Sequence, residues 1–194
     1  MKLAVLVSGE GTNLQAIIDA INSKVLKDVT IEYVISDNPE ANALNRARKN
    51  GIHTILITKG NMKEILERHF ELVDLIVLAG FMKILPPELI GDHKIINVHP
   101  SLLPLFGGRG MFGLRVHRAV INSGMKVSGA TVHFVTEDVD AGPIIMQECV
   151  QVTPHETPES LQEKVHEVEH RILVKSIEII KQGQYKIEGK RVIY

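Results

Sequence analysis

Two polar residues suited to proton and oxyanion chemistry lie two positions apart near the middle of the chain. Asn97 and His99 follow the short segment 94–96, in which Ile95 and Ile96 are apolar, and Pro100 comes directly after them. Proline lacks the N–H that a strand ladder needs, so a strand should end here with both side chains on one side. Asn97 can donate an N–H to a developing oxyanion, and His99 can carry a proton near neutral pH. The pattern predicts a catalytic pair; the alternative is an asparagine that caps a turn beside a hydrogen-bonded histidine.

A glycine-containing turn near the N-terminus has the features of an anion site. The apolar run Leu3–Val7 predicts a strand buried on both faces, and apolar residues at helical spacing begin at Leu14. Between them, Gly9 and Gly11 let the backbone approach a ligand, and a helix N-terminus presents free N–H groups. The turn has neither the lysine of a Walker A motif nor the third glycine of the dinucleotide fingerprint. Residues 8–13 therefore form either a phosphate site or a plain βα turn.

Three further loops can contribute to a site. Residues 80–87 are mostly apolar and either line a pocket for a flat aromatic ligand or pack onto the core. Residues 136–143 form an acidic turn, which is either solvated or folded so that one carboxylate pairs with His99, holds it and raises its pKa. The glycine-rich segment at 105–115 predicts a flexible loop.

Strands and helices alternate through the first half of the chain, which predicts βαβ units and a parallel sheet. Alternating β-branched residues then predict antiparallel strands at 127–135 and 144–152, followed by an amphipathic helix from Thr157 and a closing hairpin. The fold class is therefore α/β: a Rossmann-like, mostly parallel twisted sheet with helices on both faces and antiparallel strands in the C-terminal half. We expect a single domain over residues 1–194, with a mononucleotide-binding-like half at 1–98 and a second half at 99–194.

Composition narrows the classes of partner. The net charge of −1 gives no general reason to expect nucleic acid or an anionic membrane. No apolar run approaches transmembrane length, and the one at the N-terminus is too short for a signal peptide, so we expect a cytoplasmic protein. The single cysteine, Cys149, excludes an intramolecular disulfide and a cysteine-based zinc cluster, and its apolar neighbours predict a packed core thiol. A monomer and a homodimer are both compatible with the sequence.

The segment His166–His170 matches the His-Glu-x-x-His zinc pattern and places both histidines on one helical face. A hydrolytic zinc site needs a third ligand, and no later histidine supplies one. The surrounding helix is highly charged. We therefore expect a solvated face with some substrate contact and no metal.

Four blocks in order give the chain a specific resemblance to the folate-dependent glycinamide ribonucleotide transformylases, the phosphoribosylglycinamide formyltransferase family. The blocks are the segments 8–18, 78–85 and 97–104, and the segment 132–136 together with 140–143. The family members transfer a formyl group in de novo purine biosynthesis, with 10-formyltetrahydrofolate as co-substrate. The resemblance runs nearly end to end and implies the formyltransferase fold and small-molecule substrates.

The resemblance also implies roles for individual residues. The ribonucleotide would be held through its phosphate and its sugar by Gly11, Thr12, Asn13 and Glu169. The folate would be held by Lys63, Met82, Lys83, Ile84, Leu85 and Asn97. Lys63 stands where the family has an arginine, and lysine cannot make a bidentate contact.

The implied chemistry is direct transfer through a tetrahedral intermediate. The amine of glycinamide ribonucleotide attacks the formyl carbon, Asn97 and His99 stabilise the oxyanion, and His99 moves a proton to the folate nitrogen. Asp140 pairs with His99 and favours the imidazolium. The segment 105–115 is longer than the family's usual one, which bears on the shape of the pocket mouth.

Three alternatives remain beside this function. A formyltetrahydrofolate hydrolase uses a related trio and passes the formyl group to water, but it carries an N-terminal regulatory domain and has no use for a phosphate turn. Methionyl-tRNA formyltransferase shares the block at 101–104 but needs a further C-terminal domain and a basic surface. A non-catalytic nucleotide- or folate-binding module is disfavoured by the presence of all three catalytic residues.

Overall fold

The computed structural model describes residues 1–91 and 93–194, which form two compact units, Met1–Asn97 and Val98–Tyr194. The assignment of all 194 residues to a single domain stays a prediction.

The first unit is built from alternating strands and helices. Its elements are β1 (Lys2–Val7), α1 (Thr12–Asn22), β2 (Thr30–Ser36), α2 (Asn42–Lys49), β3 (His53–Leu56), α3 (Met62–Phe70), β4 (Leu75–Leu78) and β5 (Ile95–His99), with a 3-10 turn at Pro87–Leu89. The strands are parallel and lie in the order β3-β2-β1-β4-β5. β5 runs across the boundary into the second unit.

The strand order of the first unit reverses beside β1. The chain moves outward from β1 to β2 and β3, then crosses back to β4 on the other side of β1. β1 is fully enclosed from Leu3 to Val7, which is why five consecutive residues are apolar. Ligands of open parallel sheets bind outside the carboxyl ends of the strands at such a reversal, which here lies between β1 and β4.

The second unit combines two helices with mixed strands. Its elements are α4 (Leu114–Asn122), β6 (Val127–Phe134), β7 (Ile144–Gln151), α5 (Pro158–Gln182), β8 (Lys186–Glu188) and β9 (Arg191–Ile193). β6 pairs antiparallel with β7, and β8 with β9, while β9 joins β7 in parallel.

The long helix α5 packs against β6 and β7. Thr157 caps its N-terminus by accepting a hydrogen bond from the backbone N–H of Ser160, and Gly183 ends the helix in the left-handed conformation. The side chains that α5 buries recur at helical spacing, as the sequence pattern predicts: Leu161, Val165, Val168 and Ile172. The fold class is confirmed: α/β, with a mostly parallel sheet and antiparallel strands toward the C-terminus.

Two details differ from expectation. The helix α4 begins at Leu114, within the segment 105–115 that the sequence predicts to be a loop. Cys149 is exposed, so the prediction of a packed core thiol is wrong. Among residues 1–91 and 93–194, no helix is long and apolar enough to cross a membrane.

Candidate active site

His99 ends strand β5 and is buried, with 4% of its surface exposed. Its Nε2 lies 2.9 Å from the backbone carbonyl oxygen of Phe106. Because a carbonyl can only accept, Nε2 carries the proton and donates it to this oxygen. The opposite ring nitrogen, Nδ1, faces the carboxylate of Asp140.

Asp140 lies in the acidic turn after β6 with a left-handed φ of 57°, a conformation that Asp tolerates better than most residues. One carboxylate oxygen, Oδ2, lies 3.6 Å from His99 Nδ1 and accepts the N–H of Gly108 at 2.8 Å. The other, Oδ1, lies 3.6 Å from Nε2 of His133. Of the two alternatives that the sequence left open for this turn, the structure has the one in which a carboxylate lies against His99. The same carboxylate contacts two buried histidines, His99 and His133.

The pKa values of this pair follow from burial and charge. Burial is the largest influence on His99 and lowers its pKa, while the charge of Asp140 and the Phe106 carbonyl raise it by less. The predicted effect of the carboxylate, which raises the pKa of His99, is therefore present, but burial outweighs it and the net pKa is lowered. For Asp140, burial raises the pKa, but the contacts with His133, His99 and the Gly108 N–H together lower it. At neutral pH the pair is a neutral imidazole beside a carboxylate.

Asn97 lies on β5 two residues before His99 and is half-buried between buried Ile96 and Val98. Alternation along a strand places the side chains of Asn97 and His99 on the same face of β5. An amide N–H and an imidazole on one face can both donate to a single oxygen atom, which is the arrangement that an oxyanion requires.

The loop between β5 and α4 is built against the pair. A Cβ atom added to Gly107 would lie 2.5 Å from Leu103 Cδ2 and 3.2 Å from Asp140 Cβ, so a larger residue would have to displace the Leu103 side chain and press on Asp140. Phe106 adopts a left-handed φ of 54°, which is uncommon for a bulky residue. The start of the long segment at 105–115 thus supplies two of the polar contacts to the histidine and the aspartate.

The turn at residues 8–13 presents an open helix N-terminus. Gly11 has a φ of 72°, and a Cβ there would lie 2.5 Å from Ala43 Cβ, so the position requires glycine on both counts. The carbonyl oxygens of Gly9 and Glu10 accept hydrogen bonds from Ala43 N and Arg46 Nε of α2. α1 has no side-chain cap at Gly11, which leaves its first N–H groups available to an anion.

The side chain of Asn13 adds an unpaired acceptor to the start of α1 within the described residues. Its side chain is buried, with 8% of the residue exposed, and within the described part of the chain its Oδ1 has no hydrogen-bond partner. An amide oxygen can only accept a hydrogen bond, so this atom could bind a donor group of a ligand, such as a hydroxyl group, but not an anion. Gly11 and Thr12 beside it are half-buried.

The apolar loop after β4 is largely exposed. Met82 and Ile84 expose 48% and 53% of their surfaces, whereas Leu85 is buried in the core. Lys83 Nζ lies 3.7 Å from Asp37 Oδ2. Exposed apolar side chains are common on protein surfaces, so the exposure of these two alone does not identify a ligand site.

Lys63 and Glu169 have different surroundings. Lys63 is exposed and lies 3.8 Å and 3.7 Å from the carboxylates of Glu67 and Glu88. Glu169 is 4% exposed on α5, with Oε2 3.7 Å from Nε2 of His166. A buried carboxylate needs partners, so Glu169 is better placed for a specific contact than a solvated glutamate would be.

The two histidines of the His-Glu-x-x-His segment lie with their rings stacked, at a centroid distance of 6.2 Å. Among the described residues, no group of three or more His, Cys, Asp or Glu side chains is placed to hold a metal ion. The absence of a metal stays a prediction.

Sequence reasoning missed three contributors: His133, Gly108 and Ser8. His133 is 2% exposed at the end of β6, and a buried histidine at a strand end was a usable signal. Gly108 acts through its backbone N–H, for which the side-chain pattern holds no signal. Ser8 was assigned only as part of the turn, yet its hydroxyl accepts the N–H of Met82 at 2.8 Å.

Comparison with known proteins defines the class. Residues 1–177 match the formyl transferase family, and the chain belongs to that family. Among curated relatives, the chloroplastic phosphoribosylglycinamide formyltransferase of Vigna unguiculata is 41% identical over an alignment of 191 positions that covers 92% of this chain and 60% of the relative. The phosphoribosylglycinamide formyltransferase of Escherichia coli K12 is 37% identical over 96% of this chain and 90% of its own length.

Solved structures agree with this assignment. Glycinamide ribonucleotide transformylase 1 from Symbiobacterium toebii has a TM-score of 0.91 and 38% identity, and the match covers 99% of this chain and 92% of that one. The chain thus spans less than two thirds of the Vigna relative and nearly all of the bacterial proteins. The resemblance derived from the sequence blocks is confirmed at the level of the family.

Proposed function

We propose that this chain transfers the formyl group of 10-formyltetrahydrofolate to the amine of glycinamide ribonucleotide. The buried contact between His99 and Asp140 at the end of β5 carries the proposal, because it couples a proton carrier to a fixed charge. Family membership supports a folate-derived formyl donor, and the names of the relatives support the ribonucleotide as acceptor.

The reaction needs one proton moved and one oxyanion stabilised. As the amine nitrogen bonds to the formyl carbon, negative charge develops on the formyl oxygen, to which Asn97 and His99 donate N–H groups. For this, the ring would leave the Phe106 carbonyl and hold its own proton on Nδ1, toward Asp140, so that Nε2 takes up the amine proton and the Nε2–H so formed donates to this oxygen. The amine proton passes by way of His99 to the folate nitrogen as the bond from the formyl carbon to that nitrogen breaks.

The lowered pKa of His99 suits this role. A histidine that is neutral at neutral pH can take up the proton released by the attacking amine, and the charge of Asp140 stabilises the imidazolium while it exists. Since the amine attacks the formyl carbon directly, no covalent intermediate on the protein is required.

The ligand contacts are part of the proposal. The phosphate would be held by the N–H groups of the open helix end and the sugar by a buried glutamate: Gly11, Thr12, Asn13 and Glu169. The folate would contact Met82, Lys83, Ile84, Leu85 and Asn97. Lys63 would reach it only by leaving its contacts with Glu67 and Glu88. We place the protein in the cytoplasm on its sequence alone; the name of the Vigna relative places that protein in the chloroplast.

Consumption of 10-formyltetrahydrofolate, measured with and without glycinamide ribonucleotide, tests the proposal. We expect turnover that requires the ribonucleotide and falls by about 10²–10⁴-fold in His99→Ala. His155→Ala, which removes an exposed histidine of the same unit, is the matched control and should retain activity. Turnover without the ribonucleotide would identify water as the acceptor, and binding of both ligands without turnover would identify a binding module.

A further inference from the structure

Three strand ends of the first unit meet where the strand order reverses. Ser8 follows β1, Asp37 follows β2, and the segment Gly80–Lys83 follows β4. β1 lies between β2 and β4 in the sheet, so its end contacts both neighbours. The turn at 8–13 and the segment 80–83, which the proposed function assigns to two different substrates, are thus adjacent within one unit.

The hydroxyl group of Ser8 joins these ends. It donates to Oδ1 of Asp37 at 2.5 Å and accepts the backbone N–H of Met82 at 2.8 Å. The backbone N–H of Ser8 donates to the carbonyl oxygen of Gly80 at 3.1 Å. Ser8 therefore holds the segment 80–82 by both its side chain and its backbone, and only the side-chain link depends on residue type.

Asp37 completes the link with its second oxygen. Its side chain is 11% exposed, and Oδ2 lies 3.7 Å from Nζ of Lys83, whose side chain is 60% exposed. An exposed ion pair contributes little, whereas a short hydrogen bond to a carboxylate is among the stronger ones. The Ser8 contact should therefore dominate, with Lys83 adding a smaller part.

The turn itself is held from the other side. Asn38 Nδ2 donates to the carbonyl oxygen of Ser8 at 3.0 Å, and Ala43 N donates to that of Gly9 at 3.1 Å. These bonds use backbone atoms of the turn and do not involve the Ser8 hydroxyl. Removing that hydroxyl therefore loosens the segment 80–83 and leaves the turn in place.

We propose that Ser8 and Asp37 are positioning residues that fix the segment 80–83 against the phosphate turn, so that the formyl donor is held in register with the ribonucleotide. This proposal rests on the proposed function. Neither side chain needs to contact a substrate, because both act through the backbone of Met82 and the ammonium group of Lys83.

Steady-state kinetics of Ser8→Ala tests the proposal. We expect the KM for 10-formyltetrahydrofolate to rise about tenfold and kcat to fall, since a charge-assisted bond is lost and the Met82 N–H is left unpaired. The KM for glycinamide ribonucleotide should stay within about twofold, because the backbone of the turn is unchanged. Ser8→Thr, which keeps a hydroxyl, should restore most of the donor KM.

Substitutions at Asp37 separate the hydrogen bond from the charge. Asp37→Asn keeps an acceptor for Ser8 and removes the pair with Lys83, so the donor KM should rise only about threefold. The matched control is Asp74→Asn at the opposite end of the same strands, where Asp74 Oδ2 accepts the N–H of Lys2 at 2.7 Å. Asp74→Asn should lower the free energy of unfolding, measured in urea, and leave both KM values unchanged.

The outcomes distinguish this proposal from the proposed function. An unmodified protein that transfers no formyl group contradicts both. An active protein in which Ser8→Ala leaves the donor KM unchanged, or raises both KM values equally, contradicts the positioning role alone. The same holds if Asp74→Asn shifts the donor KM as strongly as Asp37→Asn does.

Discussion

The two units use different chemistry at their candidate sites. In the first unit, the turn at 8–13 presents backbone N–H groups, which do not titrate, and its geometry is set by Gly11 and by hydrogen bonds to α2. In the second unit, the site consists of buried ionisable side chains, His99 and Asp140, whose pKa values are both lowered. One site is thus specified by backbone shape and the other by burial and charge.

This difference has a practical consequence. The affinity of the turn for its ligand should be nearly independent of pH, apart from the ionisation of the ligand. The turnover rate, which depends on the protonation state of His99, should change with pH. Substitutions in the first unit should therefore act through steric changes to the turn, and substitutions in the second unit should act by changing the pKa values of the catalytic pair. The following substitutions test this separation.

Asp140→Asn should have the largest effect, a loss of turnover of about 10²-fold. Without the carboxylate charge, burial lowers the pKa of His99 further, so the acid limb of the pH–rate profile should move to lower pH. The profile measured between about pH 5 and 9 checks this. Asp138→Asn removes an exposed carboxylate of the same turn and is the control. An unchanged profile in Asp140→Asn would show that the pairing has no role.

Gly11→Ala should have the next largest effect. The added Cβ would overlap Ala43 and require a left-handed φ, which should cost about 2 kcal/mol of unfolding free energy and raise the KM for the ribonucleotide. Urea unfolding and initial rates measure the two effects. Gly9→Ala, where a Cβ meets nothing within 4 Å, should be close to neutral. If the rise in KM caused by Gly11→Ala changed with pH more than the ionisation of the ligand explains, binding at the turn would depend on an ionisable group of the protein. That result would contradict the difference drawn between the two units.

His117→Leu should change the acid stability of the second unit. His117 is fully buried on α4, and among the described residues neither ring nitrogen has a hydrogen-bond partner. Burial, followed by the charges of His166 and His99, lowers its pKa from 6.5 to about 4. Between pH 6.5 and about pH 4, His117 is therefore protonated in the unfolded chain and neutral in the folded chain.

Above pH 6.5 the state of His117 does not reduce the free energy of unfolding. As the pH drops from 6.5 toward 4, its protonation in the unfolded chain lowers the free energy of unfolding by about 1.4 kcal/mol per pH unit. In His117→Leu this part of the acid dependence should vanish. Urea unfolding at several pH values measures it, with the exposed His155→Leu as control. Equal acid dependence in His117→Leu and the unmodified protein would refute the assignment.

Arg171→Ala should have the smallest effect. Arg171 on α5 pairs with Glu148 on β7, which raises the pKa of Arg171 and lowers that of Glu148, but the two side chains are 45% and 37% exposed. Such a pair contributes at most about 1 kcal/mol. We expect a small, salt-dependent loss of stability and unchanged turnover. A large loss of turnover would show that charge matters outside the catalytic pair.

Periodicity and turn chemistry were enough to predict the elements. The five apolar residues of β1, the spacing that begins at Leu14 and the Thr157-Pro158 start of α5 are local signals, and each element lies where they place it. The alternation that puts Asn97 and His99 on one face is local in the same sense. The family resemblance extended this to the proposed roles of side chains far apart in sequence.

Features that depend on the tertiary structure could not be predicted from these local signals. The direction of the pKa shift of His99 depends on how far burial exceeds the charge of Asp140, and burial is known only once the chain is folded. Cys149 was misplaced for a similar reason. α5 covers the face of β7 that carries Glu148, and the alternate residue Cys149 then points to solvent.

The most direct test of the central claim follows the formyl carbon itself. The protein is mixed with glycinamide ribonucleotide and 10-formyltetrahydrofolate labelled in the formyl carbon, and the label is traced through a single turnover. We predict that it appears in the N-formylated ribonucleotide in equal amount to the tetrahydrofolate formed, and not in His99→Ala. Recovery of the label as free formate, with the ribonucleotide unchanged, would contradict the account.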